Sequence, residues 1–366
     1  MIKSNTELVD VGFVDVMNKS GNKKQLKLKC SVVGARGYSG LETARILLGH
    51  PNSDLTYCFA TSAFDLTKIL GKKAAAILCL PDSEIMNHLT DVVFLATPAE
   101  VSMKLAPQIL AAGKKVIDLS GAFRLKKNDY EKWYGFQHDQ SALLKTSQYG
   151  LIPWAGPAKS EKLIANPGCY ATAISLALIP VIKNNLISET GIVIDAKSGT
   201  TGAGKKAAEN LLYSEVDGEC LPYKIGQHQH YPEIVEAVEN FAGKKIEAHF
   251  STSLIPVRRG IIAAVYANLL PGKTEADVKS TLQMAYGDYE LISFGSAKNE
   301  PQLLSLKRVV GTGRTHISYV VEGSKLYLFS CIDNLLKGAA SQAVENFNRI
   351  SDLPISTGVS HLEAVT

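Results

Sequence analysis

The sequence predicts an α/β chain of two units: a doubly wound parallel sheet over residues 27–168, then an α+β unit with a more antiparallel sheet over residues 169–330. Three observations predict it. Short apolar runs alternate with helical periodicities from Lys27 to Asp118. A glycine loop, "VVGARGYSGLETARIL", joins the first run to the first helix. Beyond Cys169 the strand-like runs lengthen and fewer helices separate them. With 366 residues, 46% hydrophobic and 20% charged, the chain is long enough for two cores.

Residues 1–26, "MIKSNTELVDVGFVDVMNKSGNKKQL", are polar and lack the apolar centre of a signal peptide, so they read as an extension with room for one short strand. "LKCSVVGA" is the first strand, "SGLETARILLGH" a helix with apolar positions at Leu41, Ala44, Leu47 and Leu48, and "LTYCFAT" the second strand. "DVVFLATP" and "KKVIDLS" are two further buried strands around "EVSMKLAPQILAAG", a helix that ends on glycine. In the second unit "ETGIVIDAKSGT", "KKIEAHFSTSLIPV" and "RGIIAAVYANLL" read as strands. Within residues 331–366, "DNLLKGAASQAVENFNRI" reads as a helix that returns to the first unit.

Charge and cysteine usage narrow the function. A formal charge of +4 with scattered Lys and Arg suits a small anionic substrate and gives no support to nucleic-acid binding. Six cysteines, Cys30, Cys58, Cys79, Cys169, Cys220 and Cys331, show neither a CxxC pair nor a disulfide spacing, which points to a reducing cytoplasm. Pro180 interrupts the longest apolar run before it reaches membrane-spanning length.

Gly34, Gly37 and Gly40 stand in GxxGxxG spacing between a strand and a helix, where glycines permit the tight turn and let N–H groups approach a pyrophosphate. A plain turn is the alternative. An NAD site would place a carboxylate about 20 residues on. Here "FATSAF" offers the hydroxyls of Thr61 and Ser62 instead, with Arg36 as an added charge, so NADP is the expected cofactor. Cys169 follows Pro167 and Gly168 and opens a helical run, a position whose dipole favours thiolate and lowers the thiol pKa. Its alternative is a small buried hydrophobe. His228 and His230, two apart in "GQHQHYPEI", are the acid–base candidates; no third ligand has metal-site spacing, and no metal is expected. "DAKSGTTGAGKK" is a second glycine-rich loop, able to cradle phosphate or nicotinamide with Lys205 or Lys206 nearby, or else a flexible turn. Arg124, Arg258 and Arg259 stand at strand ends, suited to an anionic substrate unless they are surface residues.

Taken together, "GARGYSGLE", "ATP" at 96–98, "DLSGAFRL", "IANPGCYATA", "SGTTGAGK", "HQHYPEI", "LIPVRRGI" and "DNLLKGAASQAVEN" give the chain its resemblance to the N-acetyl-gamma-glutamyl-phosphate reductase family, from about Leu28 to Asn348. The resemblance implies NADPH-dependent reduction of an acyl phosphate to an aldehyde through a cysteine thioester, in arginine biosynthesis. It also implies a Rossmann dinucleotide-binding domain, a glyceraldehyde-3-phosphate-dehydrogenase-like catalytic domain, and a homo-oligomer, dimer or tetramer, in the cytoplasm. Cys169 takes the place of the nucleophile, and His230, ahead of His228, that of the acid–base group. Tyr38, Ser39, Thr97, Pro98, Ser198, Gly199, Gly202 and Asn334 join the glycine loop as cofactor residues, while Asn166 and Lys205 join the arginines at the substrate. The family usually has Pro at Ala171, Asp at Ala122, Arg at Lys205 and "YGLPE" where this chain has "YGLIPWAG". A sister enzyme of lysine biosynthesis, acting on a carrier-bound aminoadipyl phosphate, shares these motifs. A cofactor-free Cys/His thiol hydrolase is the alternative from another class.

Overall fold

The computed structural model describes residues 27–156 and 159–362; the expected extension, residues 1–26, lies outside the described residues. The first sheet contains β1 (Leu28–Val33), β2 (Ser53–Ala60), β3 (Leu78–Pro81), β4 (Val92–Leu95), β5 (Lys115–Asp118), β6 (Gln148–Tyr149) and β7 (Leu163–Ala165). Every pairing is parallel, in the order β3-β2-β1-β4-β5-β7-β6. The order reverses between β1 and β4, the switch point beyond whose strand ends such sheets bind ligands.

Two helices cover opposite faces of this sheet, α1 (Tyr38–Gly49) and α2 (Ala99–Ala111). Because neighbouring strand residues point to opposite faces, Val32 packs in one core with Ala44, Ile46 and Leu47 of α1, and Val33 in the other with Met103, Ala106 and Ile109 of α2. The buried stripe of α1 also takes in Gly40 and Thr43, leaving Leu41 and Leu48 at its edge. Small residues there let the helix lie close to the sheet.

The second sheet contains β8 (Ile192–Gly199), β9 (Leu221–Pro222), β10 (Ala248–Ile255), β11 (Ile261–Asn268), β12 (Ile292–Ser296), β13 (Thr315–Glu322) and β14 (Lys325–Ile332). Its order is β12-β13-β14-β11-β8-β10-β9, antiparallel except at β8–β10 and β12–β13. Against it pack α3 (Cys169–Lys183), α4 (His230–Ala242) and α5 (Glu275–Tyr286). Every residue of α3 from Tyr170 to Ile182 is buried, as expected of a helix that is apolar on all sides. Pro180 has no N–H to give the carbonyl of Leu176, four residues back, and Tyr286 Oη donates to that carbonyl instead at 2.5 Å.

β14 ends at Ile332, two residues past the boundary drawn from the sequence, and the chain then crosses back to the first sheet. There α6 (Ser341–Ile350) places Ala343, Val344, Phe347 and Ile350 in the core beneath α1. A π-turn over Leu336–Ala340 precedes it, with Gly338 N–H donating to Asp333 O and Ala340 N–H to Leu335 O, both at 2.9 Å. The turn brings Gly338 so close to Cys169 that a Cβ there would lie 2.6 Å from the Cys169 Cβ. It is tied down by Lys337, fully buried, whose Nζ donates to Glu345 Oε2 at 2.7 Å and to Ile152 O at 3.3 Å; Tyr289 Oη donates to the same carboxylate.

Breaking one half of a buried ion pair strands the other charge. Lys337→Met should therefore cost about 3–5 kcal/mol in urea unfolding, whereas Lys337→Met with Glu345→Leu should recover most of the loss. A double variant as unstable as the single one would mean that pairing does not balance these charges.

Candidate active site

One cleft of about 760 Å³ runs from the start of α1 to the start of α3, and its lining includes Tyr38, Thr97, Cys169, His230 and Asn334. A volume of this size suits a cofactor or drug-sized ligand. At one end, Gly34 has φ +82°, and a Cβ there would sit 2.3 Å from Ala96 O; a Cβ at Gly40 would sit 2.3 Å from Gly34 O. Gly37 is the N-cap of α1 and offers no side-chain cap, so the first N–H groups of the helix face the cleft beside Gly37, Tyr38 and Ser39. This cradle fits the pyrophosphate of a dinucleotide. Thr97 and Pro98 follow the end of β4 and line the same cleft. Thr61 and Ser62 are exposed just past β2, and Arg36 Nη1 donates to Ser62 Oγ at 2.9 Å. Gly202 and Lys205 line the cleft from the opposite side. Asn334 does so as well, its Nδ2 donating to Thr201 Oγ1 at 3.1 Å.

At the other end, Gly168 is the N-cap of α3 and Cys169 its first residue. The helix start is as expected, but the thiol pKa is corrected: burial pushes it up to about 11, against the opposing pull of the Tyr170 N–H and the charge of Arg124. Desolvation outweighs the helix terminus here, so the resting group is a thiol. His230 opens α4, and its Nε2 lies 2.3 Å from where a Gly168 Cβ would be. Burial first, and then the charges of Arg124 and Lys224, hold its imidazole neutral, well below the ordinary histidine range. Its buried Nδ1 has no hydrogen-bond partner among the described residues. His228, pushed down to about 2 mainly by burial, accepts the His230 N–H on Nδ1 at 3.1 Å and meets Tyr170 edge-on at 5.2 Å.

Glu233, absent from the sequence reading, joins these pieces. Its carboxylate, fully buried, accepts from Gly168 N–H at 2.7 Å, Tyr149 Oη at 2.9 Å and Arg124 Nη1 at 3.4 Å. It stands 4.0 Å from His230 Nε2, three residues earlier on the same helix. The Glu of "HYPEI" was the available signal. Arg124 lines the cleft, but its Nε and Nη2 are given to the carbonyls of Asn166 and Leu119.

Ten of the expected residues are not in the cleft lining: Gly34, Arg36, Gly40, Thr61 and Ser62 at the glycine-loop end, and Asn166, Ser198, Gly199, Arg258 and Arg259 elsewhere. Arg259 is held by Glu42 of α1 at 2.6 Å and by Asp333 at 3.0 Å, which makes it a bridge between the two units. Arg258 is exposed on the turn after β10. Asn166 is buried, donating to Ala339 O at 3.1 Å and accepting from Asn346. Ser198 donates to Gly199 O, and Gly199 is packed against the backbone of Arg258 and Arg259. Of the departures from the family pattern, Lys205 lines the cleft, whereas the other three do not, Ala171 being fully buried in α3. Ala122 is fully buried, and "YGLIPWAG" runs beneath the site, where Tyr149 supports Glu233 and Trp154 Nε1 donates to Tyr286 Oη at 2.9 Å.

Residues 29–162 match the semialdehyde dehydrogenase NAD binding domain, and residues 169–334 the semialdehyde dehydrogenase dimerisation domain. The chain is 36% identical over 341 residues to the N-acetyl-gamma-glutamyl-phosphate reductase of Brevibacillus brevis, covering 91% of this chain and 98% of that one. It is 40% identical over 330 residues to the enzyme of the same name from Geobacillus thermodenitrificans, covering 88% and 95%. Among solved structures, aspartate semialdehyde dehydrogenase II of Vibrio cholerae, complexed with ASA, superposes with a TM-score of 0.68 at 18% identity, covering 89% and 98%. The aspartate semialdehyde dehydrogenase of Francisella tularensis gives a TM-score of 0.63 at 18% identity, covering 88% and 100%. These two share the fold.

If burial sets the state of the thiol, iodoacetamide alkylation of Cys169 in the free protein should rise about tenfold per pH unit from pH 7 to pH 9, because thiolate is the reacting form. The measurement is mass-spectrometric labelling at fixed times. A plateau already reached at pH 7 would show a resting thiolate and overturn the burial account.

Proposed function

Since the chain belongs to the N-acetyl-gamma-glutamyl-phosphate reductase family, we propose that this cleft is its active site and that Cys169 is the nucleophile. The protein is an oxidoreductase that reduces N-acetyl-γ-glutamyl phosphate to the semialdehyde with release of phosphate, a reaction of arginine biosynthesis, using a nicotinamide dinucleotide. The observation that carries the assignment of residues is the single cleft that joins the uncapped start of α1 to Cys169 and His230. A dinucleotide site 29–162 beside the thiol also speaks against the cofactor-free hydrolase.

In this mechanism neutral His230 is free to accept the Cys169 proton as Sγ attacks the acyl carbon, so that no resting thiolate is needed. The C–O bond to phosphate breaks, phosphate leaves with the electron pair, and a thioester on Cys169 remains. The bound dinucleotide supplies the hydride for reduction of this thioester. His230 then protonates the departing group as sulfur is released from the carbon. His228, which accepts from the His230 backbone, orients the pair. Glu233 holds the Gly168 N–H, and with it the start of the helix that carries the sulfur.

NADP is our reading of the cofactor, supported by the Arg36–Ser62 contact, a cation and a hydroxyl where an NAD site would carry an acid. The dimerisation-domain match supports a homo-oligomer, dimer or tetramer, and six free thiols support a reducing, cytoplasmic setting. Residues 27–168 then form the cofactor domain and 169–330 the substrate and oligomerisation domain.

Turnover of N-acetyl-γ-glutamyl phosphate, followed as loss of NADPH absorbance, tests the reading. Cys169→Ser should abolish it with cofactor binding intact; His230→Asn should lower it by about 10²-fold or more, and His228→Asn by less. Wild-type rates in the Ser variant would sink the thioester, and equal losses at both histidines would sink their division of labour. Ser62→Asp should erase or reverse a preference for NADPH over NADH by facing a 2′-phosphate with a carboxylate; an unchanged ratio of kcat/KM values would refute that placement.

A further inference from the structure

An acyl phosphate that also carries an α-carboxylate brings two oxyanion groups into the cleft, and each calls for positive charge. Arg124 is largely committed, with Glu233 against its charge and two carbonyls on its other nitrogens. Lys205 lies at the cofactor end, its Nζ 3.3 Å from Arg36 O and over the ring of Tyr38. The third cation of the lining, Lys224, stands at the catalytic end beside His228, Gln229 and His230.

Lys224 follows a residue whose backbone and ring are both tied down, and its own carbonyl accepts from Gln227 N–H at 2.9 Å. Tyr223 N–H donates to Thr252 O, Thr252 Oγ1 returns a bond to Tyr223 O at 2.7 Å, and Tyr223 Oη donates to Tyr170 Oη at 3.1 Å, one residue from Cys169. Lys224 adopts φ +46°, a left-handed conformation that a long side chain rarely takes. Its Nζ donates to a neutral oxygen, Gln229 Oε1, at 2.8 Å. Among the described residues no carboxylate counters its charge. Its field reaches the histidines, since it helps to hold both His228 and His230 neutral. An exposed cation at the cleft this near the reacting groups, partnered by an amide oxygen alone, is arranged to receive an anion.

We propose that Lys224 binds an oxyanion group of the substrate, either the phosphoryl group or the α-carboxylate. This rests on the acyl-phosphate reading above. The reverse reaction separates the two sources, because the semialdehyde carries only the carboxylate and inorganic phosphate is a separate reactant. In the full-length protein, Lys224→Met should raise KM for N-acetyl-γ-glutamyl phosphate about tenfold or more, with KM for the dinucleotide unchanged. In reverse, a raised KM for inorganic phosphate assigns Lys224 to the phosphoryl group, and a raised KM for the semialdehyde assigns it to the carboxylate. Lys224→Gln, which keeps a hydrogen-bond donor without charge, should behave like the Met variant, and Lys224→Arg should restore part of the affinity. Unchanged KM values in the Met variant, or full recovery with Gln, would overturn the proposal while leaving the reductase reading intact. A wild-type protein that turns over no acyl phosphate would instead remove the reading on which the proposal rests.

Discussion

A carboxylate with almost no contact with water organises this molecule. Glu233 is 1% exposed and draws its hydrogen bonds from three places far apart in sequence: the N-cap of α3, the aromatic residue that ends β6, and the arginine that follows β5. An ionised group at that depth is tolerated only with partners of good geometry, and each partner is thereby fixed. Gly168 must present its N–H, so the first turn of α3 cannot drift. α4 cannot rotate either, because Glu233 would leave its ring of donors. The separation of sulfur and imidazole follows from a charge that belongs to neither.

The same economy of partners explains the state of the thiol. A helix N-terminus stabilises an anion, but α3 is buried from Tyr170 to Ile182, and Cys169 at its start, half-buried at the cleft, still carries a desolvation cost that outweighs it. A neutral thiol beside a neutral imidazole results. Proton transfer then belongs to the reaction with substrate and not to the resting site. Both histidines are held neutral below their ordinary values, so acid works against the fold: below about pH 6.5 the unfolded chain takes up protons that the folded site refuses, and that part of the stability falls with pH.

What could be read from the residues had local causes. The glycine loop, the Pro-Gly stop before Cys169 and the pair His228 and His230 each rest on a few adjacent positions, and β1, β2, β4 and β5 are largely apolar runs, whereas β3, β6 and β7 are only two to four residues long and leave no such signal. What could not be read depends on distant pairings. Arg124, Arg258 and Arg259 look alike in sequence, and only the fold sends one to Glu233, leaves one in solvent and sets one between Glu42 and Asp333. Glu233 reads as an ordinary acid in the first turn of a helix until three distant donors close on it. Of the second sheet, the sequence reading lacks β9 and β12 to β14: β9 is two residues long, and β12 and β13 mix Ser, Thr, His and Tyr with their aliphatic residues, while β14 alternates and was there to be found. Lys224 shows its character only through a backbone angle.

The π-turn at Leu336–Ala340 limits how the length of this chain can vary. Such a turn holds one residue more than an α-helical turn of the same reach, and here the surplus seats Gly338 against Cys169 while Lys337 still reaches Glu345. Removing one residue between Leu335 and Ser341 would close the turn to ordinary α-helix of the same reach, leaving the helix after it in place but drawing Gly338 away from Cys169 and Lys337 from Glu345. The exposed loop between Gly204 and Tyr223 faces no such constraint along its outer stretch. Insertions and deletions among related chains should therefore collect there and be absent from the turn, and a domain fused into the loop should be tolerated where one deleted codon in the turn is not.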